Sequence, residues 1–154
     1  MSSLPRFINS LLIPLAGRPM LLPQAAVAEV IKPVPLRELP GSASWLDGVF
    51  DWRREQVPLV SVDEMCEGAP PPALPSRYVV LYGVDGHPGL GFYALKAYGI
   101  PRSLKANADS LLKGDAEGFD CELVSAHVLS DGQPAFIPDL SAIEGLIRAQ
   151  LQRM

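Results

Sequence analysis

Hydrophobic and polar positions along the chain change register every few residues, and proline interrupts the pattern before long helices can form. Short runs such as "FINSLLIPLAG", "RPMLLP" and "AAVAEVIKPVPL" read as three strands. In the third, Val27, Glu29 and Ile31 alternate with Ala28 and Val30, the period of two expected of a strand. "PGSASWLDG" reads as a loop with one helical turn, with Ser42 or Ser44 as its N-cap. "GVFDW" and "QVPLVSV" then form a hairpin, and Pro58 in its second arm predicts an edge strand or a bulge. Beyond "EGAPPPALPS", "RYVVLYGV" and "LGFYAL" pair across the turn cluster "DGHPG". "KGDAEGFD" is a further turn region, and "CELVSAHVL" and "QPAFIPD" are two more strands joined through "SDG".

The C-terminus has another period. In "SAIEGLIRAQLQRM", Ile143, Leu146, Ile147, Gln150, Leu151 and Met154 recur at helical spacing. Ser141 with Glu144 three residues later predicts a capping box at the start of this helix, over 141–153. The whole is an all-β body with one terminal helix. Strand number and short turn-to-turn spacing fit two small barrels, approximately 7–66 and 77–138, on either side of a stiff proline-rich linker at 67–76.

Composition narrows the functions. The chain has 154 residues, 48% of them apolar, enough for one globular domain. Sixteen prolines account for the scarcity of helix. The formal net charge of −4 argues against a nucleic-acid binder, which needs a basic face. Such a face would require folding to gather Arg53, Arg54, Lys96, Arg102 and Lys105. The N-terminal apolar run is broken by Pro14 and too short to span a bilayer, so no membrane insertion and a cytoplasmic location are expected. Cys66 and Cys121 have no metal-binding or redox-motif spacing and are expected as two reduced thiols.

Candidate chemistry is sparse. His87 lies in a Gly/Pro turn and His127 in the middle of a strand, and neither has a spaced partner that makes a metal site. "GVDGHPGLG" lacks the lysine and the strand-to-helix setting of a phosphate loop. Carboxylates, among them Asp47, Asp51, Asp63, Glu64, Asp85, Asp109, Asp115 and Asp120, occur singly. These features predict no catalysis, no cofactor and no metal. A small-ligand or hydrolytic protein with a pocket between the barrels is the alternative, and it requires titratable groups to converge there.

The one unusual stretch is "SWLDGVFDWRREQVPLVSV", Ser44 to Val62, which holds both tryptophans of the chain, Trp45 and Trp52, around a charged tip. An aromatic beside an arginine is the composition of an interaction hot spot. The stretch resembles the CheW family segment G-V-x-N-L-R-G-x-x-x-P-V-x-D-L. Gly48 and Val49 match it, and Arg53 stands at the arginine. Asp51, Trp52 and Arg54 replace the asparagine, leucine and glycine. Val57-Pro58-Leu59-Val60 matches the apolar run around the proline. Upstream, "VAEVI" stands where the family has V-x-E-I.

This resemblance implies two five-stranded SH3-like barrels with a C-terminal helix. It also implies a non-catalytic adaptor between methyl-accepting chemoreceptor cytoplasmic tips and a CheA-type histidine kinase, in arrays beneath the membrane. The departures resemble ChpC-like members of pilus-linked chemosensory systems. The family's kinase-facing glutamate and arginine carry over to Glu29 and Arg53, which are expected within ion-pair reach of each other. With the hairpin aromatics, the candidate partner-binding residues are Val27, Glu29, Trp45, Val49, Trp52, Arg53 and Arg54.

Overall fold

The computed structural model describes residues 7–107, 111–115 and 118–153; Asp109 and Met154 lie outside the described residues. Among the described residues, eleven strands and two helices follow in the order β1 (Ile8–Ile13), β2 (Met20–Pro23), β3 (Val27–Ile31), β4 (Leu46–Trp52), β5 (Glu55–Val60), α1 (Val62–Glu67), β6 (Arg77–Tyr82), β7 (Phe92–Ala97), β8 (Arg102–Ala106), β9 (Leu111–Lys113), β10 (Val124–Ser130), β11 (Gln133–Pro138) and α2 (Leu140–Gln152). One 3-10 turn, Gln24–Ala26, leads into β3. β8, β9 and α1 are additional to the elements read from the sequence.

The strands form a six-stranded sheet, β8-β1-β2-β11-β10-β9, and a five-stranded sheet, β3-β6-β7-β5-β4. The expected division at 67–76 does not separate them. β1 and β2 join the sheet built from the C-terminal strands, and β6 and β7 join the sheet of β3, β4 and β5. Long-range pairing decides this: β1 runs antiparallel to β8 over Ile8↔Ala106 to Leu12↔Arg102, and Phe136 of β11 bridges Met20 of β2. The proline-rich segment is therefore a connection within one sheet, from β5 through α1 to β6.

Many strands bury both faces, and the reason is the layering. One face of β6, with Tyr78 and Val80, points into the small core of the five-stranded sheet. The other, with Val79 and Leu81, points into the main core between the sheets. β1 divides likewise, with Leu12 in the core of the six-stranded sheet and Leu11 and Ile13 in the main core. A strand covered on both faces reads as a continuous apolar run instead of an alternation.

Pro58 is not on an edge, because β5 lies between β4 and β7. Its partner on β4 is Val49, whose N–H and carbonyl both bond Arg37 on the other side, at 2.9 and 2.8 Å. That leaves the missing proline donor unneeded by β4. The parallel ladder to β7 begins one residue later, at Leu59↔Ala94. A bulge does occur in the hairpin, on the β4 side between Leu46 and Gly48. A Cβ at Gly48 would lie 2.5 Å from the Arg37 carbonyl oxygen, so this crossing admits only glycine.

Two local expectations fail. Between Leu39 and β4 the chain makes turns and no helical turn; Ser42 bonds the Leu39 carbonyl at 2.8 Å and Ser44 bonds Glu64. Helix α2 is capped by Asp139, which accepts from the Ala142 N–H at 3.0 Å, and not by Ser141. Glu144 is not part of a box. It is 1% exposed and accepts hydrogen bonds from the Val84 and Asp85 N–H groups and the Tyr93 hydroxyl. α2 inserts Ile143 and Ile147 into the main core and so fastens the β6–β7 loop to it.

Cys66 and Cys121 are bonded to each other, contrary to the expectation of free thiols. The fold brings the end of α1 against the segment before β10, across 55 residues of chain. No sequence spacing reports such a contact.

Candidate functional site

The β4–β5 hairpin closes through a two-residue turn. Trp52 pairs with Glu55, and both intervening residues are left-handed, Arg53 with φ 48° and Arg54 with φ 65°. This is the twist that a tight hairpin demands, met here without the usual Asn or Gly. The strain is accepted on two arginines that point into solvent.

From this turn the chain reaches back to β3. Trp52 Nε1 donates to Glu29 Oε1 at 2.7 Å, and an Arg53 guanidinium nitrogen lies 3.3 Å from the same oxygen. The Arg53 guanidinium carbon sits 4.7 Å from the centre of the Trp52 ring. β3 and β4 are the two outer strands of the five-stranded sheet. Their meeting through Glu29, Trp52 and Arg53 shows that this sheet curls round until its edges touch. The six-stranded sheet curls too, since Leu104 of β8 and Val128 of β10 share one small core.

The seven candidate residues divide by exposure. Trp52 is 8% exposed and Val49 6%, so neither offers a surface to a partner. The burial of Trp52 follows from the curl: it packs in the small core with Phe50, Val57 and Leu59. Val27 and Trp45 are half-buried against the main core. The side chains of Arg53 and Glu29 remain 64% and 41% exposed, and Arg54 is exposed. The polar head of the constellation is thus open and its aromatic base closed.

Aromatic contacts extend the base across the sheet. Phe92 meets Trp52 edge-on at 4.9 Å, and Tyr82, itself 47% exposed, meets Phe92 at 5.6 Å. Sequence reasoning missed Tyr82 and Phe92. Their positions directly opposite one another on β6 and β7 are the signal that could have found them. On the outer side of β4, Arg37 donates to Gln56 at 2.9 Å, which helps the connection after β3 cover that edge.

The other sequence candidates do not converge here. Lys96 pairs with Asp47, while Arg102 and Lys105 lie on β8 in the other sheet, so the five cations make no common face. Nδ1 of His87 accepts from the Gly89 N–H, and Nδ1 of His127 lies 3.3 Å from Arg18. Among the described residues no three His, Cys, Asp or Glu side chains are placed to hold a metal ion. The space between the sheets is filled by the main core. Surface cavities occur instead, one of about 330 Å³ beside Gly17, Arg18, Glu67 and Phe119.

The CheW-like domain model matches residues 9–146. No curated protein sequence matches the chain. Among solved structures, the fold is similar to the scaffolding protein TtCheW from Thermoanaerobacter tengcongensis, with a TM-score of 0.71 at 15% identity over 90% of this chain and 88% of that one. The two curled sheets and the terminal helix are accordingly a pair of small SH3-like barrels with a C-terminal helix.

Proposed function

This chain belongs to the CheW-like family, and on that premise we propose that it is a non-catalytic adaptor that couples methyl-accepting chemoreceptor tips to a CheA-type histidine kinase. The adaptor works at membrane-proximal arrays on the cytoplasmic side, in chemotaxis or pilus-linked motility signalling. The observation that carries the docking assignment is the Glu29–Trp52–Arg53 constellation. A buried indole holds an exposed carboxylate, and both position an exposed guanidinium.

Such a head is pre-organised. The indole N–H fixes Glu29, and the ring face and the carboxylate together restrict Arg53. The kinase then meets an arginine whose side-chain entropy is already largely spent, which lowers the cost of binding. An exposed ion pair contributes only about 0–1 kcal/mol to folding. Positioning for a partner is a better account of the arrangement than stability. Arg54, at the other turn position, adds a second exposed cation to the hairpin tip.

The test is co-purification and calorimetric binding with the cognate CheA-type kinase, using the native chain and its Arg53→Ala variant. The proposal expects a complex that the substitution weakens by at least about tenfold, the equivalent of 1.4 kcal/mol. Equal binding by both proteins overturns the hairpin assignment. Absence of any complex with kinase or receptor tips overturns the adaptor role.

A further inference from the structure

We propose that the Cys66–Cys121 pair is a thiol–disulfide exchange site, opened by a dithiol, whose state ties or frees residues 118–123 while leaving both barrels folded. Three observations lead there: access, redundancy and charge.

The bond is reachable. Both cysteines are half-buried, and their neighbours Glu67 and Phe119 line the open surface cavity of about 330 Å³. The cavity thus opens beside the two segments that carry the bond.

The bond is also redundant for the fold. α1 is held at its start by the Ser61 cap, which accepts from the Glu64 N–H at 3.1 Å. Asp63 accepts from the N–H groups of Ala16 and Gly17 at 3.1 and 2.8 Å, which docks α1 on the β1–β2 turn. On the other side Phe119 stacks on Phe136 at 5.1 Å, and the Leu123 carbonyl accepts from Asp139 at 2.7 Å. α1 is placed without the bond, and 118–123 is anchored at Phe119 and Leu123, so the disulfide adds the tie between those two points. Opening it removes one tie and leaves every sheet ladder intact.

The surroundings carry three carboxylates against one cation, Arg18, whose guanidinium lies 5.2 Å from the Phe119 ring. Glu67 follows Cys66, and Asp120 and Glu122 flank Cys121; all three carboxylates are exposed. Cys66 also lies in the last turn of α1, where the helix dipole disfavours a thiolate. This environment repels anionic thiols and selects a dithiol without a net negative charge of its own.

One thiolate of the dithiol attacks a sulfur of the pair; the S–S bond breaks, a mixed disulfide forms, and the other cysteine leaves and takes a proton. The second thiol of the reductant then closes on the mixed disulfide and releases the second cysteine. Two electrons and two protons pass to Cys66 and Cys121, and the dithiol becomes a disulfide.

The experiment treats the full oxidised chain, without denaturant, with dithiothreitol or with glutathione, and counts alkylated cysteines by mass. Amide hydrogen exchange is measured on both redox forms and on the Cys66→Ser/Cys121→Ser variant. Dithiothreitol is expected to open the bond in the folded protein. Added salt is expected to accelerate glutathione more than dithiothreitol. Exchange over residues 118–123 is expected to rise at least tenfold in the reduced protein and in the variant, while β4 to β7 stay protected. Cysteines that react only in denaturant overturn the proposal. So does a loss of protection in the sheets together with 118–123, or no change at 118–123.

Discussion

Glu29 serves two neighbours at once, and substitutions that separate them give different outcomes. Glu29→Ala removes the acceptor of the Trp52 indole N–H, a group on a side chain only 8% exposed. A buried donor left without a partner costs about 1–3 kcal/mol. Glu29→Gln keeps a carbonyl oxygen for the indole and removes only the charge that faces Arg53, for a cost of about 0–1 kcal/mol. Arg53→Ala removes that same exposed pair and the stacking on Trp52, which at an exposed site contributes about 0.5–1 kcal/mol. The expected order of destabilisation in urea is therefore Glu29→Ala well above Glu29→Gln and Arg53→Ala. Kinase affinity has another order. All three variants lose the organised ion pair, and disrupting a charged pair that becomes buried on docking costs about 2–5 kcal/mol of binding. Denaturation midpoints and calorimetric titration against the kinase measure the two orders on the same proteins. Equal destabilisation by Glu29→Ala and Glu29→Gln would refute the role given to the indole hydrogen bond. Unchanged binding in Glu29→Gln would refute the role given to the charge.

Arg54→Gly relieves a left-handed arginine at the turn and is expected to stabilise the protein by up to about 1 kcal/mol, read as a raised melting temperature. Burial, and after it the Asp63 carboxylate, push the Tyr98 phenol up to about 12 from an ordinary 10.0. The folded state thus keeps a proton that the unfolded chain gives up. This contribution to stability is complete below pH 10 and is lost as the pH rises through 12, which ultraviolet titration alongside unfolding curves will follow. Opening the Cys66–Cys121 bond, which closes a loop of 55 residues, is expected to lower the unfolding free energy by about 4 kcal/mol, measured as a lower urea midpoint under reductant. Glu144→Gln replaces one of two acceptor oxygens by a donor, and since both oxygens accept from the Val84 N–H, it is expected to cost about 1–3 kcal/mol in the same assay.

The strands were legible because each carries its own alternation or apolar run, and the hairpin turns because Asp131-Gly132 and the charged tip interrupt them. Sheet membership was not, since it rests on pairings such as Ser10↔Leu104 that leave no local mark. β8, "RSLKA", turns only Leu104 and Ala106 inward and is otherwise polar, so it resembles a loop. α1 was legible and overlooked. Ser61 and Glu64 have the Ser-x-x-Glu spacing, and Gly68 ends the helix in a left-handed conformation. The same spacing at Ser141 and Glu144 misled, because Glu144 faces inward and serves the β6–β7 loop instead. At the site, the proximity of Glu29 and Arg53 followed from the family resemblance. The burial of Trp52 did not, because it depends on the curl that brings β3 against β4. The disulfide pairs residues that only the assembled fold brings together.

The exchange of strands between the two sheets has a consequence for how the chain can be divided. A cut within 68–76 yields two fragments, yet neither contains a whole barrel: the first carries β1 to β5 and the second β6 to β11. Each fragment would expose the inner edge of both sheets and present it to the other. Neither barrel can be borrowed, transplanted or lost as a continuous piece of sequence. Two co-expressed halves, by contrast, carry complementary surfaces over the entire main core and should find one another. This connectivity makes the protein a natural split reporter, one that regains its docking hairpin only when both halves are present.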